Sequence, residues 1–287
     1  DGLEPTINFL KFSKKMLIAN KESIICGWNL IKKEAKKTNT KIIPIDSEHF
    51  SILNLLNNHN INEINKVYLT ASGGPFLNYK QRQLKKIKPS EALKHPKWKM
   101  GKKITIDSST LLNKILELIE AQKLFNIPTN KIDILIHPQS LVHAIIDFKN
   151  GLKKFIYHDT SMTIPIANAI FGGKLVINKF LKIKKNVKIN DLVFKEVDKN
   201  IFPIIKLKNR VNELPSSSII VNASNEILVD HFLQKKLPFL HISKIIMDIF
   251  HHKNYRKYAI QIPKTINQIK KIDSWAKKET LKKISRL

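Results

Sequence analysis

The 287-residue chain carries 51 Lys and Arg against 23 Asp and Glu, a formal net charge of +28, and 43% of it is hydrophobic. That apolar content supplies cores for more than one domain and excludes a disordered chain, while no apolar run nears the roughly 18 residues needed to cross a bilayer. The single cysteine, Cys26, excludes an intramolecular disulfide and a cysteine-based zinc centre, and reads as a buried small hydrophobe rather than a nucleophile.

The first twenty residues lack the order of a signal peptide, so a soluble cytoplasmic protein is expected. The positive charge invites a nucleic-acid reading, because clustered cations release counterions from phosphate backbones. Only Arg82, Arg210, Arg256 and Arg286 are arginine, however, and the lysines are spread along the whole chain among Ile and Asn. Base readout and bidentate phosphate clamps favour Arg. The charge is therefore read as compositional drift, with no nucleic-acid partner and no membrane.

In chain order, residues 7 to 15 can form a helix, followed by a short apolar strand "MLIAN" (16 to 20), a helix over about 23 to 37 and a strand "KIIPI" (41 to 45). Strand, helix, strand is the parallel βαβ pattern, whose ligands collect at the carboxyl ends of the strands. "ANKES" and "DSEH" fall there. A strand "KVYLTA", a Gly-Gly-Pro turn, a basic stretch and a helix from about Ser109 to Phe125 come next. Strand signals at 132 to 136, 141 to 148 and 153 to 158, with Asn150-Gly151 as a hairpin turn, complete an α+β unit. Residues 176 to 200 read as a Lys- and Asn-rich linker with at most short elements. From 216 onward apolar residues recur at helical spacing, punctuated by Pro238 and Pro263, as in a small helical bundle.

Several side chains in this frame carry chemistry. Asp46 and Glu48 are two apart, share a face of a regular strand, and can converge on one hard cation at its end, though two carboxylates alone are a weak signal and a structural role is the plainer reading. Asn113 and Glu117 are four apart and share a helix face, with Lys114 about 100° around it. Apolar neighbours at 115, 116, 118 and 119 would partly bury Glu117, whereas an exposed Lys114–Glu117 pair is the plainer reading. "LTASGGPF" (69 to 76) places Ser72 before two glycines that let backbone approach an anion, or simply makes a turn. "HPKWKMGKK" (95 to 103) sets Trp98 and Met100 in a basic loop, as a lid or as packing. His137, His143 and His158 read as satisfied strand histidines, and His251 and His252 as surface.

Taken in order, "LIANKES", "PIDSEH", "LTASGGPF", "HPKWKMGKKITIDSSTLLNK.LE", "ILIHPQSLVHA" and "VNASNEI" (221 to 227) resemble the 1-deoxy-D-xylulose 5-phosphate reductoisomerase family over nearly the whole chain. The resemblance implies rearrangement and NADPH-dependent reduction of 1-deoxy-D-xylulose 5-phosphate to 2-C-methyl-D-erythritol 4-phosphate, in non-mevalonate isoprenoid precursor biosynthesis, with divalent Mn, Mg or Co. It implies Asp46, Glu48 and Glu117 as metal ligands. Lys21, Ser47, Glu48, Ser72, His95, Ser108, Asn113, Lys114 and Glu117 would meet the substrate, with Lys21 and Glu48 catalytic. Asn20, Glu22 and Gly101 would contact NADPH, and Trp98 and Met100 would ride on a closing loop. The implied fold is α/β and α+β. Residues 1–46 would be the C-terminal part of a Rossmann-like NADPH-binding domain, 47–175 the catalytic α+β domain, 176–200 a linker and 201–287 a C-terminal helical domain, in a homodimer joined through the central sheet.

The chain also departs from the family pattern. No Gly-rich dinucleotide turn precedes Asp1, a usual glycine after Asn113-Lys114 is Ile115, which would crowd the sugar site, and "YHDTSMTIPI" (157 to 166) carries His158, Thr160, Ser161 and Thr163 at non-matching positions. A second reading is therefore a truncated or degraded reductoisomerase that binds metal and sugar phosphate without reducing it, and a third, of another class, is a lysine-rich nucleic-acid or scaffold protein.

Overall fold

The computed structural model describes residues 2–179 and 192–287. The chain opens with α1 (Leu3–Leu10), β1 (Lys15–Ile18), α2 (Lys21–Thr38), β2 (Lys41–Pro44) and α3 (Ser47–Leu55). Strands β1 and β2 pair in parallel as a separate two-stranded sheet. The expected helix at 7 to 15 lies earlier because Pro5 sits in the first turn, where its missing N–H costs nothing. The strand expected to reach Asn20 stops at Ile18, since the Asn20 side chain caps α2 by accepting from Ser23 N at 2.8 Å.

A five-stranded mixed sheet follows, built from β3 (Ile64–Ala71), β4 (Ile132–Ile136), β5 (Val142–Phe148), β6 (Lys153–Tyr157) and β7 (Lys195–Glu196) in the order β6-β5-β3-β4-β7. Only β3 and β4 are parallel. Between β3 and β4 run the short helices α4 (Gln81–Leu84) and α5 (Pro89–Ala92), then α6 (Lys102–Ser109) and α7 (Leu112–Phe125). Helix α8 (Thr163–Phe171) follows β6, and the C-terminal part contributes α9 (Ser217–Leu233), α10 (Phe239–Phe250), α11 (Tyr255–Ala259) and α12 (Ile266–Ile284). Of the expected linker, residues 180–191 lie outside the described residues, and β7 joins the sheet edge against β4.

The helix expected from about Ser109 to Phe125 begins only at Leu112, and the basic stretch before it holds a separate helix, α6, which ends at Ser109. Leu111, 2% exposed, adopts a left-handed backbone (φ +66°), and the Thr110 hydroxyl receives the Leu112 N–H at 3.3 Å. A leucine is held in that region only where packing over-determines it. Helix α7 is buried all around from Leu112 to Ala121. Leu112, Ile115, Leu116, Leu118 and Ile119 enter the main core with β3, β4 and the C-terminal helices, each aliphatic side chain contributing about 1.5–3 kcal/mol by burial. The remaining stripe is polar: Asn113, Lys114, Glu117 and Glu120 recur at three- and four-residue spacing and share one face.

The turn after β3 needs glycine. Gly73 and Gly74 have φ +83° and +59°, and a Cβ on Gly74 would stand 3.2 Å from Ser109 Cα and 3.3 Å from the Ser108 carbonyl. Gly74 thus lets the turn carrying Ser72 lie directly against the end of α6. Gly74→Ala is expected to lower stability by about 1–3 kcal/mol, read as a lower urea midpoint at unchanged m; an unchanged midpoint would show that this close approach is not required.

Candidate functional site

Three chain reversals converge on one cavity of about 230 Å³. At the end of β2, Asp46 caps α3, accepting from Glu48 N at 3.2 Å, so Ser47 and Glu48 lie in the first helical turn. The two carboxylates therefore converge from a cap and a first turn, not from one face of a strand as the spacing suggested. A helix N-terminus favours negative charge at both positions. At the start of α2, Lys21 enters from the same side, and the polar stripe of α7 supplies Asn113, Lys114 and Glu117 from below. Ser72 and Ser108 come from the glycine turn and the last turn of α6, and His95, Trp98 and Met100 from the loop between α5 and α6.

Asp46, Glu48 and Glu117 offer carboxylate oxygens all within 4.8 Å of one another. Two lysines lie among them. Lys21 Nζ is 2.5 Å from Asp46, 3.1 Å from Glu120 and 3.6 Å from Glu117, and Lys114 Nζ donates to Glu48 and lies 2.5 Å from Glu117. Burial alone would raise the Asp46 carboxyl, but Lys21 and His49, with Lys114, together outweigh it and hold the group well below the carboxylate range. Glu117 behaves oppositely: burial and then the neighbouring Glu48 charge push it up to about 8. Buried His49 lies 3.2 Å from Asp46 Oδ1 and bonds the Glu117 carbonyl at 2.9 Å, and Glu120 and Asp46 together overcome its burial to raise it to about 9.

Four carboxylates thus face two ammonium groups and one imidazole, an excess of negative charge that the protein relieves by retaining a proton on Glu117. An all-oxygen donor set with surplus negative charge fits a hard divalent cation.

The other wall donates hydrogen bonds. His95 Nδ1 accepts from Trp98 N at 2.8 Å, which leaves its Nε2–H to donate to Ser72 Oγ at 3.1 Å. Burial, aided by Lys114, lowers this imidazole to about 4, so it stays neutral. Ser72 Oγ also accepts from Gly74 N at 3.0 Å, so its own proton is left to donate into the cavity that it lines. The half-buried Trp98 meets the His143 ring edge-on at 6.0 Å, so it packs over the cavity instead of standing free.

The expected cofactor contacts part company with this cavity. Asn20 and Glu22 line a separate cleft of about 470 Å³ between α2, α9 and α12, where Glu22 pairs with Lys103 at 3.3 Å; Gly101 caps α6 and lines neither space. Half-buried Cys26 lines this cleft too, and burial pushes its thiol up to about 12, so it is a poor nucleophile. Ile115 is fully buried in the core and lines neither space, which corrects the expected crowding of the sugar site.

Three side chains in or beside the cavity are not singled out by the sequence as part of a site. Glu120 stands one turn beyond Glu117 on the same stripe, and that spacing could have found it. His49 is three residues from Asp46, but its second partner is a carbonyl 68 positions away. His143 lines the cavity and stacks on His158 at 4.0 Å, a contact between β5 and the residue just past β6 that no local pattern signals. His251 is exposed, as expected, and His252 is half-buried against Trp275.

A model described as the 1-deoxy-D-xylulose 5-phosphate reductoisomerase C-terminal domain matches residues 42–125, and the DXP reductoisomerase C-terminal domain model matches 159–279. The 1-deoxy-D-xylulose 5-phosphate reductoisomerase of Pelagibacter ubique (strain HTCC1062) is 47% identical over 278 residues, covering 96% of this chain and 71% of the relative. The chain belongs to the 1-deoxy-D-xylulose 5-phosphate reductoisomerase family. The family member from the Wolbachia of Drosophila simulans (strain wRi) is 45% identical over 85% of the chain, which spans 64% of that relative's length. Among solved structures, a reductoisomerase in complex with NADPH, fosmidomycin and magnesium superposes with a TM-score of 0.88 at 32% identity, covering 99% of this chain and 73% of that one. The Zymomonas mobilis enzyme in complex with NADPH gives 0.84 at 30% identity, with 100% and 73% covered.

In the cation-free protein Glu117 holds a proton from its ordinary value of 4.5 up to about 8 that the unfolded chain has lost, so its burial lowers stability as pH rises through that window. A cation must displace that proton. Affinity for manganese is expected to rise by up to about tenfold per pH unit below pH 8, measured calorimetrically; affinity independent of pH would contradict the assignment.

Proposed function

We propose that this chain carries the metal and sugar-phosphate site of a reductoisomerase that rearranges and reduces 1-deoxy-D-xylulose 5-phosphate to 2-C-methyl-D-erythritol 4-phosphate with NADPH, a step of non-mevalonate isoprenoid biosynthesis. The observation that carries the reading is the convergence of Asp46, Glu48 and Glu117 opposite a donor wall of Ser72, Ser108, Asn113, Lys114 and His95 in one cavity. The three carboxylates would hold a divalent cation (Mg, Mn or Co), which supplies Lewis-acid polarisation of a ketone and its neighbouring hydroxyl.

The chain's own groups do the rest. Lys114, an ammonium that Glu117 and Glu48 keep charged against its burial, and the Ser72, Ser108 and Asn113 donors suit a phosphate and a polyol. Lys21 is held against Asp46 and Glu120, where it can hold or give a proton beside Ser47 and Glu48 at the reacting carbons. Trp98 and Met100 close over the cavity and exclude water, strengthening every charge interaction inside. NADPH would meet Asn20, Glu22 and Gly101, and Met162 reaches the cavity from the segment 157 to 166. In this reading α1, β1, α2 and β2 belong to the NADPH-binding domain (1–46), 47–175 is catalytic, 176–200 links, and 201–287 is a helical domain. The same reading takes the protein as a cytoplasmic homodimer joined through the central sheet.

The test is magnesium-dependent binding of fosmidomycin, then NADPH oxidation on adding the sugar phosphate. Both are expected, and Glu117→Gln should abolish metal-dependent turnover. Failure to bind would overturn the reading. Binding without oxidation would favour the non-reducing alternative, and unchanged turnover would remove Glu117 from the ligand set.

A further inference from the structure

Helix α6 is only eight residues long, lies between the Trp98 loop and the break at Leu111, and carries two stripes of different character. Ile104 and Ser108, four apart, line the cavity, whereas Lys103 and Asp107, also four apart, point toward α9 and the neighbouring cleft. The stripes are about 100° apart on one short rod, so any rotation that moves one moves the other. Asp107 is 2% exposed, and both its oxygens are engaged. Asn225 Nδ2 of α9 donates to Oδ1 at 2.7 Å, and Lys103 Nζ donates to Oδ2 at 3.0 Å. Asn225 is fully buried, and Lys103 reaches on to Glu22 at the start of α2. A buried carboxylate that loses a partner is left to bear its desolvation unrelieved, so this arrangement strongly prefers a single orientation of the helix.

Resting on the reductoisomerase reading, we propose that Asp107 is a positioning residue: clamped between Asn225 and Lys103, it fixes the rotation of α6 and thereby aims Ser108 and the Trp98–Met100 loop at the substrate's anionic group. Asp107 itself lines neither the cavity nor the cleft. Its effect should therefore fall on recognition of the ligand and not on the cation, whose carboxylates sit on α7 and at the start of α3.

In the full-length protein, Asp107→Asn and Asn225→Leu are each expected to weaken magnesium-dependent fosmidomycin binding about tenfold. The double variant should be no weaker than the worse single, because each change, one on the Lys103 side and one on the Asn225 side, releases the same clamp. Manganese affinity without fosmidomycin should stay within about twofold of the parent, a pattern that general loss of structure would not give. Amide exchange over 102–109 should rise in each variant while that of α7 holds. If Asp107→Asn fails to fold, Lys103→Met supplies the same comparison from the other side of the clamp. Multiplying losses, a parallel loss of manganese affinity, or unchanged fosmidomycin affinity would overturn the proposal. A parent protein that binds no fosmidomycin would overturn the reductoisomerase reading and with it the aim of the clamp, while unchanged exchange in α6 would by itself overturn the clamp.

Discussion

Four carboxylates, two lysines and a histidine packed under a cavity at the meeting of two sheets set the terms for the rest of the structure. Removing such charges from water costs several kcal/mol per ion, and each tolerates burial only when its partners are fixed. The fold supplies that rigidity. Helix α7 is anchored by aliphatic side chains in the main core, so the polar stripe on its remaining face cannot turn away. The N-termini of α2 and α3, each set by a capping side chain from Asn20 or Asp46, hold Lys21 and Glu48 against that stripe.

Balance within the cluster is incomplete, and the proposed function rests on that incompleteness. A structural ion network would match charge for charge; here Glu117 is driven to keep a proton while Asp46, 17% exposed at its side chain, is kept ionised by Lys21 and His49 together. Two carboxylates a few ångströms apart are thereby pushed in opposite directions, a separation characteristic of sites that bind cations or move protons. The donor wall complements this, since His95 is neutral and oriented by two backbone amides and Ser72 has one proton left to give.

Much of this was legible in the sequence because motif order carries more information than any single motif. Asp46, Glu48, Glu117, Ser72, Asn113 and Lys114 all reach one cavity. The parallel pairing of β1 with β2 and the strand Ile132–Ile136 follow from apolar runs and their punctuation. The break at Leu111 was not legible, because "STLLNKILELIE" reads as one continuous amphipathic helix and the left-handed leucine is imposed by packing. Geometry at Asp46 was misjudged for a related reason: a two-residue spacing looks like a strand face until the cap shows that a helix has begun. His143, stacked on His158, depends on strand register, and the Asn225–Asp107 contact joins residues 118 positions apart. Such pairings exist only once the chain has folded.

The central claim, that Asp46, Glu48 and Glu117 together hold a divalent cation, is tested most directly by anomalous diffraction from crystals grown with manganese. A single strong peak within about 2.0–2.5 Å of an oxygen from each carboxylate is predicted. A peak held by other residues, or none at saturating manganese, would contradict it.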